Sequence, residues 1–425
     1  MKPRSDHRIL QITALPFPPE IRVLKEALSL RAAGYGSAVM CPPIKGLPAR
    51  ETWRGIEIFR PAALAGAAAT LDKLLYQSTF FSPAWYRGLQ QVLREYRPDV
   101  LHVHDIWLGR TAWRARTHER FVMDLHENMP AAVVEYQSGY RGAFRWFNAV
   151  FKNHSRVFAH ERALLERSDL VLAVVQEARD RVLASHPKLD AARVVNVENL
   201  ESREFLSAPS GGQQYIADDH YSILYIGGFG PHRGIDTLIR AMRPLQERKI
   251  NARLHLVGGK EGTAYLAMLR ELIAQLGVAS HVNIVPWVPS EAVLSYVNQA
   301  SLCAVPHHSN PHTDTTIPHK LFQYMIAARP VLVSTSLPLA RTVAAADCGV
   351  IFRAGDPDDC AAKIAELASD APRAARLGAR GRRYVLEAGH NWEEESAPQL
   401  IAAYDRLLGC AEPERADGRL LATHA

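Results

Sequence analysis

Cysteine is scarce in this chain: five among 425 residues, Cys41, Cys303, Cys348, Cys360 and Cys410. The odd count and wide spacing exclude a disulfide framework and leave no pair close enough for a zinc knuckle, so a reduced, cytoplasmic protein is expected. No run of about 18 apolar residues occurs, which argues against a spanning helix, and MKPRSDHRILQITAL lacks the apolar stretch of a signal peptide. Internal repeats are missing, and Gly and Pro, 26 each, stand in ordinary proportion, so collagen-like and low-complexity chains are excluded. A dominant charge is missing too. Lys and Arg number 50 against 44 Asp and Glu, a net charge of +6 spread along the chain. That excess favours acidic ligands or an anionic surface. It gives little support for nucleic acid, and no nucleic-acid partner is expected.

What is present is a globular composition, 48% hydrophobic and 22% charged, long enough for two or three domains. Residues 8–13 read as a strand, 23–33 as a helix and 37–41 as the next strand, the βαβ signature of a parallel sheet. Further strands are expected at 99–104 (DVLHVH), 121–125, 170–175 and 194–197. Residues 202–220 are polar and rich in Ser, Gly and Asp, and read as a linker. A second α/β series then begins, with strands at 222–226, 253–257, 282–285, 302–305, 331–334 and 349–352. The organisation is therefore a first Rossmann-like domain over 1–201, a linker over 202–220 and a second Rossmann-like domain over 221–390. A final helix is expected over 391–410, with Leu400, Ala403, Tyr404 and Leu407 on one face, and a polar tail over 411–425. Ligands of such sheets bind at the carboxyl ends of the strands.

Three segments carry candidate chemistry. In YIGGFGPHRGIDTLIRAM a strand runs into a turn with Gly227, Gly228 and Gly230, and Arg233 and Gly234 are read as opening a helix. Glycines admit a ligand close to the backbone, amides at a helix start suit a phosphate, and Arg233 adds a fixed cation. An ordinary βα turn with a solvated Arg gives the same pattern. In TDTTIPHKLFQYMIAARPVLVS, Pro318 suits the first turn of a helix with Thr315 or Thr316 near its cap. Lys320 and Gln323 lie off the apolar stripe, where they can face a cleft or simply water. Strand ends in the first half carry His102, His104 and Asp105, then His126 and Glu127. His102 reads as a buried structural histidine, and His126 as the better cleft candidate. Asp356 and Asp358 in AGDPDD suit helix capping rather than a metal. The stretch from Tyr140, with Phe144, Phe147, Phe151 and Phe158 among basic residues, fits either a core-facing helix or a peripheral membrane contact.

Taken together, ALPFPPEIRVLKEALSLRAAGYGSAVM, PDVLHVHD, GGFGPHRGID, LHLVGG, PHKLFQYMIAARPVLVS and NWEEESAPQLIAAYDRLL resemble glycosyltransferase family 4, retaining enzymes of the GT-B fold. The resemblance implies two Rossmann-like domains facing a central cleft, with the last helix crossing back to the first domain. It implies sugar transfer from a nucleotide sugar, a UDP-sugar or GDP-sugar, to a glycan or lipid-linked saccharide in surface polysaccharide assembly. It also implies no metal and no cofactor beyond the donor. By the same resemblance Arg233, Lys320 and His126 serve catalysis, and Gly227, Gly228, Arg233, Pro318, His319, Lys320 and Gln323 bind the donor. Thr315 and Gln323 stand at the two glutamate positions of the family's Glu, seven residues, Glu motif, and Gly228 stands where many members carry Arg. Two alternatives stand beside this reading: a nucleotide-sugar epimerase of the same architecture, and a non-catalytic nucleotide-sugar scaffold, which the loss of both glutamates motivates.

Overall fold

The computed structural model describes residues 2–18, 20–137, 150–207, 213–217 and 219–410. Fourteen strands are present among them. The first eight are β1 (Arg8–Ile12), β2 (Gly36–Met40), β3 (Arg50–Trp53), β4 (Ile56–Phe59), β5 (Val100–His104), β6 (Arg120–Leu125), β7 (Leu170–Ala173) and β8 (Val194–Asn196). The rest are β9 (Tyr221–Ile226), β10 (Ala252–Gly259), β11 (Val282–Pro286), β12 (Leu302–Val305), β13 (Val331–Ser334) and β14 (Gly349–Phe352). The chain divides into two compact units. One holds 1–124, 167–172 and the chain from Ala397; the other holds 125–166 and 173–396. The segments 125–166 and 173–201, read from the sequence with the first domain, thus pack within the second unit.

In the first unit the strands run in the order β3-β4-β2-β1-β5-β6-β7. Those from β4 to β6 pair in parallel, and their side chains are almost wholly buried, because helices cover both faces of a parallel sheet. The antiparallel pair β3–β4 was not expected from the sequence. Its turn is Arg54-Gly55, both at positive φ, the geometry of a two-residue hairpin.

The helix Ala397–Leu408 belongs to this first unit and packs on the helix Ile21–Ala32. Tyr404 Oη lies 2.7 Å from His102 Nδ1, and Asp405 accepts from Arg4 (2.6 and 2.8 Å) and from Tyr35 Oη (2.7 Å). Its buried face is Leu400, Ala403, Tyr404 and Asp405; Leu407, expected there, is only half-buried. The helix starts later than expected, because residues Trp392–Ser396 form a π-turn before it.

The second unit carries β11-β10-β9-β12-β13-β14, every pair parallel. Numbered by appearance this is the order 3-2-1-4-5-6 of the doubly wound fold, and the order reverses between β9 and β12. Leu224, Ile226, Cys303, Val305 and Val333 line one face of the sheet, and Ile223, Tyr225, Leu254, Leu302 and Leu332 line the other. All five cysteines are buried and free. Among the described residues no helix is long and apolar enough to cross a membrane.

Candidate active site

The site grows from the carboxyl ends of β9 and β12, where the strand order reverses. Beyond β9, Gly227 sits at φ +132°, and a Cβ there would lie 2.4 Å from Lys320 Nζ, so only glycine fits. Tyr225 Oη donates to the Gly228 carbonyl at 2.8 Å and steadies this turn. A Cβ on Gly228 would meet nothing within 4 Å.

The turn Pro231–Arg233 is a short 3-10 element, and the helix begins only at Ile235. Arg233 therefore closes a turn rather than opening a helix, as read from the sequence. The reason is Gly234. It breaks the helical path at φ +65°, and a Cβ on it would lie 1.9 Å from the Pro306 carbonyl oxygen, so the chain packs directly onto the loop after β12.

The second segment also departs from expectation. The helix runs Lys320–Ile326, with Pro318 ahead of it and no side-chain cap; all seven of its residues are buried. The Pro318 carbonyl accepts from Leu321 N, and the His319 carbonyl accepts from Phe322 N and Gln323 N. Pro318 has no N–H to offer an anion. Thr315 spends its hydroxyl on the carbonyls of Pro311 (2.8 Å) and His312 (3.1 Å). Gln323 does not face open solvent. Its Nε2 donates to the carboxylate of buried Glu201 at 2.7 Å, which leaves its amide oxygen as the remaining acceptor.

Lys320 is 7% exposed, and its Nζ has no hydrogen-bond partner among the described residues. Its Nζ lies 4.1 Å from the centroid of the Tyr225 ring. Burial, and then the charge of Arg233, push its pKa well below the usual lysine range. Three imidazoles gather nearby. His232 lies 4.9 Å from His312 and 6.4 Å from His307, centroid to centroid. Burial, and next Arg233, push His232 down to about 3, and His307 is likewise held well below the usual histidine range.

The segment after β6 supplies an acid. Glu127 Oε2 accepts from Tyr136 Oη at 2.6 Å and lies 3.4 Å from His312 Nε2. Burial opposes its charge, but His312, Tyr136 and Arg233 together hold it at about 2. The His126 carbonyl accepts from Thr316 Oγ1 at 3.5 Å, which ties this segment to the loop before Lys320. The sequence reading had Arg233, Lys320 and His126 but missed His232, His307, His312, Tyr136 and Glu201. Only His307 and His312 share a loop; the others come from separate segments, and the fold collects them.

The other sequence candidates fall elsewhere. His102 and His104 are buried in the first unit with Glu26 and Asp124, near enough for a shared ion. Arg22 lies among them, bonding both Asp124 oxygens at 2.8 Å and Glu26 at 3.0 Å, where it takes the carboxylates that a cation would need. Asp356 caps the helix Pro357–Ala368, accepting from the amides of Asp358 and Asp359. Phe144 and Phe147 lie outside the described residues. Phe158 stacks on His186 at 5.2 Å, so this part of the aromatic stretch packs against protein.

Comparison with known proteins agrees with this architecture. A model described as glycosyl transferase 4-like domain matches residues 19–199, and one described as glycosyl transferases group 1 matches 212–384. A D-inositol 3-phosphate glycosyltransferase of Thermobispora bispora is 26% identical over 322 residues, covering 73% of this chain and 71% of the relative. A GDP-mannose-dependent alpha-(1-6)-phosphatidylinositol monomannoside mannosyltransferase of Mycolicibacterium smegmatis is 27% identical over 207 residues, covering 48% and 52%. Among solved structures, sucrose-phosphate synthase from Thermosynechococcus elongatus superposes with a TM-score of 0.74 at 19% identity, covering 95% of this chain and all of that one. Anabaena HepE in complex with UDP-glucose gives 0.65 at 13% identity, covering 95% and 98%. With both halves matched in order and two doubly wound units of the GT-B kind, the chain belongs to glycosyltransferase family 4.

Proposed function

We propose that the protein is a metal-independent, retaining hexosyltransferase that takes its sugar from a UDP-sugar or GDP-sugar. The observation that carries this reading is the buried, unpartnered amino group of Lys320 against Gly227, beside Arg233, at the strand-order reversal of the second unit. A diphosphate fits there: it offers several anionic oxygens to a lysine, an arginine and the ring N–H groups of neutral imidazoles. The bond from the anomeric carbon to the diphosphate oxygen breaks while the acceptor oxygen bonds the same face of that carbon. The acceptor proton passes to the departing diphosphate. Arg233 and Lys320 stabilise the charge that develops on it, the part a divalent ion takes in other transferases. His126 and Glu127 stand on the segment that faces this cluster within the unit. Gln323 offers its free amide oxygen to a ribose hydroxyl.

We assign the acceptor to the first unit. A cavity of about 350 Å³ lies at the carboxyl end of β2, lined by Cys41, Pro42, Pro61, Tyr76, Lys73 and Trp85. Its mostly apolar wall, with one cation (Lys73) and one acid (Asp72), suits a saccharide carried on a lipid, as in surface polysaccharide assembly at the inner face of a membrane. The test is a panel of UDP- and GDP-sugars incubated with the protein and lipid-linked acceptors, following nucleoside diphosphate release and glycosylated product. Release without product in every pairing, or a changed sugar still attached to its nucleotide, would refute transfer.

A further inference from the structure

The cluster around Lys320 has one unusual property: its proton-binding groups are nearly all without partners. Among the described residues, Lys320 Nζ and both ring nitrogens of His232 and of His307 are buried with no hydrogen bond. These residues are 7%, 6% and 1% exposed. Unsatisfied polar groups at this depth cost about 1–3 kcal/mol each, so several in one place point to a ligand that satisfies them together. Lys320 Nζ and one nitrogen of each neutral ring can donate, and such a convergence of donors suits an anion with several oxygens.

The charges facing these groups are few. His232 is faced by Arg233, His312, Glu127 and Lys320, and His307 by Arg233, Lys320, His232 and His312. Lys320 is faced by Arg233 and by the ring of Tyr225. The acid of the group, Glu127, is already engaged by Tyr136 and His312. A lysine buried beside an arginine with no acid of its own gives up its proton readily. A diphosphate reverses that balance, because it brings negative charge to the very place where an ammonium would lack it.

We infer that the diphosphate enters this cradle together with a proton from solvent, taken up on Lys320 Nζ, so that Lys320 is neutral in the empty site and charged in the filled one. This rests on the nucleotide-sugar reading above. His232 and His307, neutral throughout, donate ring N–H groups to the same anion. The proton is released again when the diphosphate departs, so product release becomes easier as pH rises. The sign follows from linkage: a group with a low pKa in the empty site and a raised one in the filled site gains a proton on binding. Affinity therefore falls as pH rises between those two values.

The experiment is calorimetric titration with UDP, GDP and methyl diphosphate at pH 8, where a phosphate ester's second ionisation, near about pH 6, is complete. Buffers of low and high ionisation enthalpy separate the proton from the rest of the heat. The expected result is uptake of about one proton per diphosphate, with affinity weakening up to about tenfold per pH unit through the window. Lys320→Arg, a cation that never deprotonates, should bind with no uptake, and Lys320→Met should bind weakly with none. Binding of a nucleotide with no buffer dependence would overturn the proton coupling and leave the transferase reading intact. Uptake that persists in either variant would overturn the assignment to Lys320. If methyl diphosphate binds with uptake while UDP and GDP do not bind, the proton-coupled anion site stands and the nucleotide reading falls. If none of the three binds, both fall.

Discussion

Gln323 donates its amide to the carboxylate of Glu201 at 2.7 Å, inside the second unit and out of water. Gln323 stands at a position where the family pattern has glutamate, so the pair reads as a local exchange: the carboxylate is kept, but on another element. Restoring the pattern with Gln323→Glu would set two buried carboxylates within hydrogen-bond distance. Stability should fall by about 1–3 kcal/mol. Adding Glu201→Gln to that variant should recover most of the loss. Thermal unfolding of the single and double variants checks this; an unchanged melting temperature in Gln323→Glu alone would contradict the pairing.

Tyr404 ties the last helix to β5 through His102 at 2.7 Å, and Asp405 ties it to Arg4 and Tyr35. Tyr404→Phe keeps the ring and removes one buried hydrogen bond, at a cost of about 0.5–1.5 kcal/mol. Ending the chain before Trp392 removes Leu400, Ala403 and Tyr404 as well, and should lower the melting temperature far more. Denaturant titration of both variants separates the two effects. A truncated chain that unfolds with the wild-type midpoint would show that the helix contributes nothing to its unit.

Most strands were legible in the sequence, and the reason is physical. A strand buried on both faces of a parallel sheet is mostly apolar, as in Val331–Ser334 and Leu302–Val305, and such runs stand out. The hairpin β3–β4 did not stand out, since Arg50–Trp53 sits at a sheet edge and is partly solvated. Lys320 and Gln323 were readable as polar positions on a helix but not as buried ones. Sequence alone takes a polar residue on a helix to face water, whereas this short helix is enclosed on every side. His307 and His312 lie five residues apart on the loop after β12, but His232 is some 75 residues earlier in the chain, so its meeting with them is a property of the fold.

Transfer should survive chelation. The diphosphate site proposed above is built from Arg233, Lys320 and imidazoles, and the acid beside it, Glu127, is held by Tyr136 and His312. Turnover measured with and without EDTA should agree within a factor of about two, since fixed cations supply the stabilisation. Activity lost in EDTA and restored by magnesium or manganese would contradict the metal-free mechanism.

The central claim is that Lys320 and Arg233 hold the donor's diphosphate. Calorimetric titration of UDP and GDP into the wild type, Lys320→Met and Arg233→Ala, in EDTA at fixed pH, tests it most directly. Charge-assisted hydrogen bonds contribute about 1.5–3 kcal/mol, so each substitution should weaken binding of the preferred nucleotide by roughly ten- to a hundredfold. Both variants should keep the wild-type melting temperature within a few degrees. Binding of equal affinity in the wild type and in both variants would contradict the account.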